Sequence, residues 1–589
     1  MTMRPILSIP SGKTEEGIVL FVIFTVVLFF CLPFLENLSN TTSETDWCQF
    51  FSYFYFSRNS IIQNHQFPLR CPYFGGGYPL IANPQDISLS PLFLIILLLG
   101  EVIGSKIICL LAYLLCAFGM YYLTRGVLKF NRLGALFSAL SLTLCSWMPN
   151  QLFDGNFTKI YYYFVPLTIA CILKARIQRR FIAYSSILLA VIFLQAGLSF
   201  AAISLFLTIL LLFFPEEKPL TFGNVKYLFI SVILALLLSS IKAISMAELL
   251  SENIRKVDYS DLQRYALNSA TLFDSLFRKN YHVNSTIYAG YATIFLAATT
   301  FIFDFKKIKG LLFVVVIILA IIFGPNSLIN LSALIWKLPI FQSMAKLDKY
   351  YSFFLAFLLC LAAGHAFGLI EKTRNKKLFT ALAFLIIFLN TYDVFKTNIS
   401  FHRNIFPDKP LSEKRENKEF FQYFILNNNK ERDAGSYLQY AFLKANKGII
   451  NWYGNIYLKE SAIPKFFISL GEEKLILVQI LANPGYKGEL FFLNNSHNSA
   501  KFARFTSNII EITGELVTSD ILVINQNFST NWKTDYGILS SWQGLLAVKL
   551  DHPGEYLIRL KYLPRNFFTG MTLSLFSLFI AILLIMGRG

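Results

Sequence analysis

The segment DWCQFFSYFYFSRNSIIQNHQFPLRCPYFGGGYPLIANPQDISLSP, residues 46–91, decides how the chain is read. It is too polar and too rich in Gly, Pro and Asn to cross a bilayer. It is also too aromatic for a solvated tether, with Trp47, Phe50, Phe51, Tyr53, Phe54, Tyr55 and Phe56 crowded together. Such a segment suits a membrane surface, where aromatic bodies sit among headgroups and polar tips stay wet. It follows shortly after a first apolar span, 18–35.

Working outward, the chain of 589 residues is 55% hydrophobic and only 15% charged, which excludes an ordinary soluble protein. Its apolar residues come in blocks of roughly 20, the length that spans a hydrocarbon core. The expected fold is a polytopic α-helical membrane protein of about 12 transmembrane helices. The spans are 18–35, 105–124, 132–150, 158–174, 181–198, 199–214, 226–246, 286–303, 310–324, 350–370, 378–396 and 566–587. Residues 89–100 are about two-thirds of a crossing and predict a re-entrant or interfacial helix.

Charge tests this layout. The net charge of +18 falls mainly in short loops assigned to the cytoplasm, where basic residues outnumber acids about three to one. Making 89–100 a full span would put the Arg125–Arg132 cluster outside. The layout predicts cytoplasmic N- and C-termini. The same placement argues against a nucleic-acid partner, since no basic stripe is interleaved with stacking residues. No small-residue cleavage site follows 18–35, which predicts an uncleaved first helix.

Three parts are expected: a transmembrane domain, 1–397, with a large first extracytoplasmic loop, 37–104; an extracytoplasmic β-rich domain, 398–565; and a last helix, 566–589. In 398–565 the apolar runs shorten and alternate, as in NIIEITGEL, SDILVIN, GLLAVKL and EYLIRLKYL. This pattern predicts half-buried antiparallel strands, with a helical lead-in near Lys414–Asn427. Of eight cysteines, Cys48 and Cys71 share the opening loop and are the two placed to bridge. The others lie within or at the edges of apolar spans and read as packing residues. No spacing suggests a metal site.

A membrane enzyme must place its catalytic groups at the bilayer surface, so the candidates are polar groups in outside-facing loops. Asp46 is one; its alternative role is to cap the helix that follows. Asp154, in FDGNFTK, is another; its alternative role is a turn residue. Lys346 and Lys349, in KLPIFQSMAKLDKYYSFF, are outside lysines that run against the positive-inside trend. Ammonium groups there suit a lipid phosphate, or else snorkel into headgroups and pair with Asp348. Lys159, and Arg278 in the charged loop 248–285, complete the candidate phosphate-binding cations. That loop also carries Arg255, Lys256, Arg264, Lys279 and His282, and solvation alone would account for its charges.

With those residues in view, the chain resembles the YfhO-like family of bacterial membrane proteins, within the GT-C class of glycosyltransferases. NHQFPLRCPYFGGGYPLIANPQ is similar to the family's Gly-x-x-Pro-x-Trp-x-Pro-x-x-x-x-Gly-x-Pro pattern before an interfacial helix. IYAGYATIFLA at 287–297 looks like its Tyr-x-Gly segment. The run from ILVINQNFSTNWKTDYG to PRNFFTGMTLSLFSL looks like its closing β domain and last helix. Cys71 stands where the family usually has Trp, Asn531 where it has Gly, and Lys346 and Lys349 where arginines are commoner.

The resemblance implies a bacterial cytoplasmic-membrane enzyme that takes a sugar from a polyprenyl-phosphate carrier on the extracytoplasmic face. The acceptor would be a glycan or lipid at the cell surface, and membrane lipids would be partners. No cofactor is implied beyond the lipid-linked sugar donor. It also implies that Asp46 acts as base or orients the acceptor, with Asp154 as a second acidic position. Two other readings stay open: a transporter or flippase of a lipid-linked glycan, and a non-catalytic envelope assembly factor. The predicted span centres lack acidic residues, which favours chemistry at the surface over transport at the midplane.

Overall fold

A computed structural model describes residues 13–587, except 44, 198, 214–222, 254–256, 279–285, 339, 345, 371–375, 411–418, 427–434, 455, 457–460 and 471–476. Arg255, Lys256, Lys279 and His282 of the charged loop lie outside the described residues. The chain is a multi-pass membrane protein: a helical bundle carrying a β-rich domain. Among the described residues, 6 helices are long and apolar enough to cross a membrane. A further pair, Val225–Leu238 and Ser240–Ser251, passes together but bends by 81°. Arg180–Gln195, Ser199–Phe213 and Tyr291–Phe303 are apolar but shorter.

Apolar segments form helices here because a bilayer offers no partner for backbone N–H and C=O groups. The helix Leu347–Ile370 is the centre of the bundle, with 78% of its apolar window buried against 17% for the peripheral Arg565–Met586. Small residues allow the close crossing. A Cβ on Gly364 would meet Ser138 Oγ at 1.8 Å and Gly134 O at 2.6 Å. Ser138 Oγ instead donates to Cys360 O at 3.0 Å. At one end of the bundle, the buried Glu16 carboxylate pairs with Arg125 at 3.1 Å and Arg132 at 3.4 Å. The basic cluster and the start of the first helix therefore share one end.

The opening segment forms a helix, Trp47–Asn64, followed by an irregular stretch with Gly75, Gly76 and Gly77 at positive φ. Residues Phe93–Leu99 make a short separate helix, ended by Gly100, and Glu101–Tyr121 begins the next crossing. Cys48 and Cys71 are both free. The Cys48 thiol donates to Thr42 O at 2.9 Å, and Cys71 pairs through its backbone with Tyr78, so each is engaged without a bridge.

The β-rich domain has strands β1 (Phe421–Leu426), β2 (Lys447–Ile449), β3 (Phe466–Leu470), β4 (Leu477–Ala482), β5 (Leu490–Phe492) and β6 (Ser499–Phe505). It continues with β7 (Ile509–Leu516), β8 (Asp520–Asn527), β9 (Trp532–Thr534), β10 (Ile538–Trp542), β11 (Leu545–Leu550) and β12 (Gly554–Tyr562). Two antiparallel sheets, β10-β11-β8-β5 and β6-β7-β12-β9, share an apolar core. Along β12, Tyr556, Ile558, Leu560 and Tyr562 point inward, the period-2 burial expected of a half-buried strand.

The sheet β2-β1-β3-β4 corrects the expected all-antiparallel domain, because β1 runs parallel to both β2 and β3. It also corrects the helical lead-in: residues 411–418 lie outside the described set and 421–426 are strand β1. FQYFIL has neighbours on both edges and is apolar nearly throughout, so it lacks the alternation that marks a half-buried strand.

Glu489 ties the two parts of this domain together. Its carboxylate accepts from Gln422 N, Tyr486 Oη and Asn525 Nδ2, each at 3.2 Å. Burial nevertheless pushes its carboxyl up to about 8 from the ordinary 4.5. Between those values the unfolded chain has lost this proton while the folded one keeps it. Stability contributed by the group is therefore present in full below about pH 4.5 and falls as pH rises towards 8. The thermal midpoint of Glu489→Gln, compared with the parent from pH 5 to 8, should lose part of the parent's downward slope. Identical slopes would contradict this reading of Glu489.

Candidate functional site

The helix Trp47–Asn64 is pinned at its start by Trp47, whose indole Nε1 donates to Leu152 O at 2.7 Å. That carbonyl belongs to a short helix, Trp147–Phe153, which ends in the turn Asp154-Gly155-Asn156. Gly155 has φ +82, and a Cβ there would lie 2.5 Å from Asp46 N and 2.7 Å from Trp47 N. Only glycine lets the two backbones meet so closely. The two acidic positions singled out from sequence thus lie side by side.

Asp46 occupies the N-cap position but makes no side-chain cap hydrogen bond. Its Oδ1 accepts instead from Tyr453 Oη at 2.6 Å, a residue of the β-rich domain. Gln49, one turn along, donates to Tyr53 Oη at 2.8 Å and reaches Tyr453 O and Gln85 Oε1 at 3.4 Å. The carboxylate is therefore turned away from its own helix and held at the seam between bundle and β-rich domain.

One ammonium group, Lys349, feels its charge, and a second, Lys159, interacts with the first. Lys349, in the first turn of the central helix, donates to Asn156 Oδ1 at 2.7 Å and feels the charges of Asp154, Asp46, Lys346 and Asp348. Lys159 lies on the 3-10 helix Phe157–Phe164, 3% exposed, and donates to Ser199 Oγ at 2.9 Å. Its ammonium also sits 3.3 Å from the centroid of the Tyr350 ring and interacts with Lys349. Ammonium groups that feel each other's charge favour an anion between or beside them. Lys346 lies over the Tyr265 ring at 4.3 Å. Arg278 is 69% exposed and pairs with Asp274 on its own helix, and no contact among the described residues joins it to this cluster.

Lys349 is the common member: Asp46, Asp154 and Lys346 act on it, and Lys159 interacts with it from the other element. Sequence reading missed Tyr453, Asn156 and Gln49. The one signal for Tyr453 was an aromatic pair in the polar run NWYGN. Among the described residues, no three His, Cys, Asp or Glu side chains group as metal ligands do.

No family model matches the sequence, and no curated protein matches it. Among solved structures, it is similar to the oligosaccharyltransferase of Archaeoglobus fulgidus, at 12% identity over 75% of this chain and 65% of that one, TM-score 0.46. It is also similar to the arabinofuranosyltransferase AftD from mycobacteria, at 10% identity over 93% of this chain and 40% of that one, TM-score 0.47. A third similarity is to ArnT from Cupriavidus metallidurans, solved with undecaprenyl phosphate, at 10% identity over 78% of this chain and 87% of that one, TM-score 0.42. The chain thus spans less than two-thirds of the archaeal and mycobacterial proteins' lengths. A functional reading rests on the site's own geometry.

That geometry depends on the contact at Gly155. Gly155→Ala should lower the stability of the detergent-purified chain by about 2 kcal/mol or more, from backbone strain plus the clash with Asp46. Gly435→Ala is the control, because it also has positive φ but meets nothing within 4 Å. Equal losses in thermal midpoint for the two variants would contradict the close approach.

Proposed function

We propose that the protein is a glycosyltransferase that moves a sugar from a polyprenyl-phosphate carrier to a cell-surface glycan or lipid. The observation that carries this reading is the half-buried Lys349 ammonium acting between the carboxylates of Asp46 and Asp154 on one hand and the buried Lys159 on the other. Asp46, oriented by Tyr453, takes the proton of the acceptor hydroxyl. The freed oxygen attacks the anomeric carbon, and the bond from that carbon to the lipid phosphate breaks. The phosphate leaves with the electron pair, its charge held by Lys159 and Lys349. Asp154 holds Lys349 in place and balances its charge before the donor arrives.

In this reading the bundle makes about 12 crossings of a bacterial cytoplasmic membrane, with both termini inside. The β-rich domain lies outside between the last two helices. The transmembrane, β-rich and closing parts divide near 397 and 565.

One observation favours a transporter instead: the 81° break between Val225–Leu238 and Ser240–Ser251, beside the buried Lys242. Broken helices with an ionisable group mark many transport sites. Here, however, Lys242 Nζ donates to the carbonyls of Pro84, Asp86 and Leu194, so it is spent on holding the opening segment. Enzyme chemistry at Asp46 accounts for more of the molecule.

Asp46→Asn tests the reading. The amide keeps the size of the side chain and an oxygen for Tyr453, and no helix cap is lost. Transfer of radiolabelled sugar from a polyprenyl-phosphate donor in proteoliposomes should fall by roughly 10²–10⁴-fold with folding unchanged. Normal transfer by a well-folded Asp46→Asn protein would remove Asp46 from the chemistry.

A further inference from the structure

A cavity of about 470 Å³ opens beside the C-terminal half of the helix Trp47–Asn64, where three distant parts of the chain meet. One wall is the helix itself. The second is the turn between the helix Ser436–Lys444 and β2. The third is the turn between β6 and β7. Tyr55 begins it nine residues beyond Asp46 on the same helix, about 14 Å along the axis at 1.5 Å per residue.

The walls are fixed before anything binds. Ser60 and Ser507 share a hydrogen bond of 2.7 Å between helix and sandwich. Gln66 Oε1 accepts from Thr506 Oγ1 at 3.0 Å, Asn508 N at 3.1 Å and Ser507 Oγ at 3.2 Å. Tyr73 Oη donates to Asn446 Oδ1 at 2.7 Å, and Asn446 itself is left-handed at φ +59, a conformation asparagine tolerates. These bonds tie all three parts together around an open space.

The lining has a specific chemistry. Tyr55, Tyr73 and Phe505 offer half-buried ring surface. The side-chain amides of Asn59 and Asn64 make no hydrogen bond within the described protein, although each lies in the lining and is only partly exposed. Lys444 lies 5.8 Å from the Tyr55 ring centroid and is the one cation in the lining among the described residues. An apolar ligand would leave the two amides desolvated without partners. A phosphate-rich polymer would call for more than one cation. A sugar chain satisfies the whole set: its C–H faces lie on rings, and its hydroxyls pair with amides that both donate and accept.

We propose that this cavity binds an oligosaccharide. Its use as a holding site for the acceptor glycan rests on the transfer reading given above, whereas binding itself does not require it.

Ligand-observed NMR on the detergent-purified full chain tests this, with chitohexaose, maltohexaose and hexagalacturonate as probes and an uncharged alanine hexapeptide as the comparison. At least one sugar should bind with Kd below roughly 1 mM. The double substitution Asn59→Ala with Asn64→Ala, and separately Tyr55→Ala, should each weaken it tenfold or more. Asn59→Trp fills the space without removing a structural bond and should act in the same direction if the alanine variants misfold. The proposal is overturned if none of the three sugars binds, if binding survives these changes, or if the peptide binds equally well. Asp46→Asn should bind the sugar as the parent does. Lost transfer with retained binding, or the reverse, separates failure of the catalytic reading from failure of this one.

Discussion

The guanidinium of Arg70 is the constraint on which the rest of the structure depends. It is buried, donates to Gly76 O at 3.1 Å and to Gln526 Oε1 at 2.5 Å, and lies over the Trp532 ring at 5.1 Å. It occupies the space left by Gly77, where a Cβ would sit 1.7 Å from it. Desolvation lowers its pKa to about 10, still well above neutral, so the group stays charged. Burying a cation costs several kcal/mol, which the two hydrogen bonds from Nη2 and the π face offset in part, Nη1 having no hydrogen-bond partner among the described residues. The same segment gives Leu69 and Ile81 to the sandwich core, and the backbone of Gly75 and Gly76 to Asn527. With 67–81 held in the sandwich, the preceding helix has little freedom. Its start must lie where the β-rich domain covers it, and that is how Tyr453 comes to rest on Asp46.

Charge placement follows the same logic at both ends of the bundle. At one end, Glu15 and Glu16 neutralise Arg125 and Arg132 through direct pairs. At the other, the hydrogen-bond acceptors of Lys159 and Lys349 among the described residues are neutral, Ser199 and Asn156, and the carboxylates of Asp154 and Asp46 act on Lys349 from nearby. Structural ion pairs close on themselves. The proposed intake of an anion calls for cations on exchangeable partners, and a hydroxyl and a side-chain amide are such partners.

Much of this was legible in the sequence where one physical rule acts alone. The alternation in EYLIRLKYL gave β12 because one of its faces is packed and the other wet. Apolar blocks gave the bundle because hydrocarbon admits no unpaired backbone. The chain hid what depends on contacts between distant segments. Asp46 and Asp154 are both visible as acids beside aromatics, but their meeting depends on Gly155, read only as part of a turn. Tyr453 is far along the chain from Asp46, and no local pattern joins them. FQYFIL was missed as a strand because it is paired on both edges. The broken helix at Ser239 was read as one continuous span, since its composition stays apolar across the bend.

The central claim is that the lysine pair receives the phosphate of a polyprenyl carrier beside Asp46. A cryo-electron-microscopy reconstruction of the full chain in nanodiscs with a polyprenyl phosphate tests it most directly. The account predicts phosphate density within hydrogen-bond reach of Lys159 and Lys349, with the prenyl tail leaving between helices into the bilayer. Phosphate density bound elsewhere, with the Asp46 seam closed and these two lysines still on Ser199 and Asn156, would contradict it.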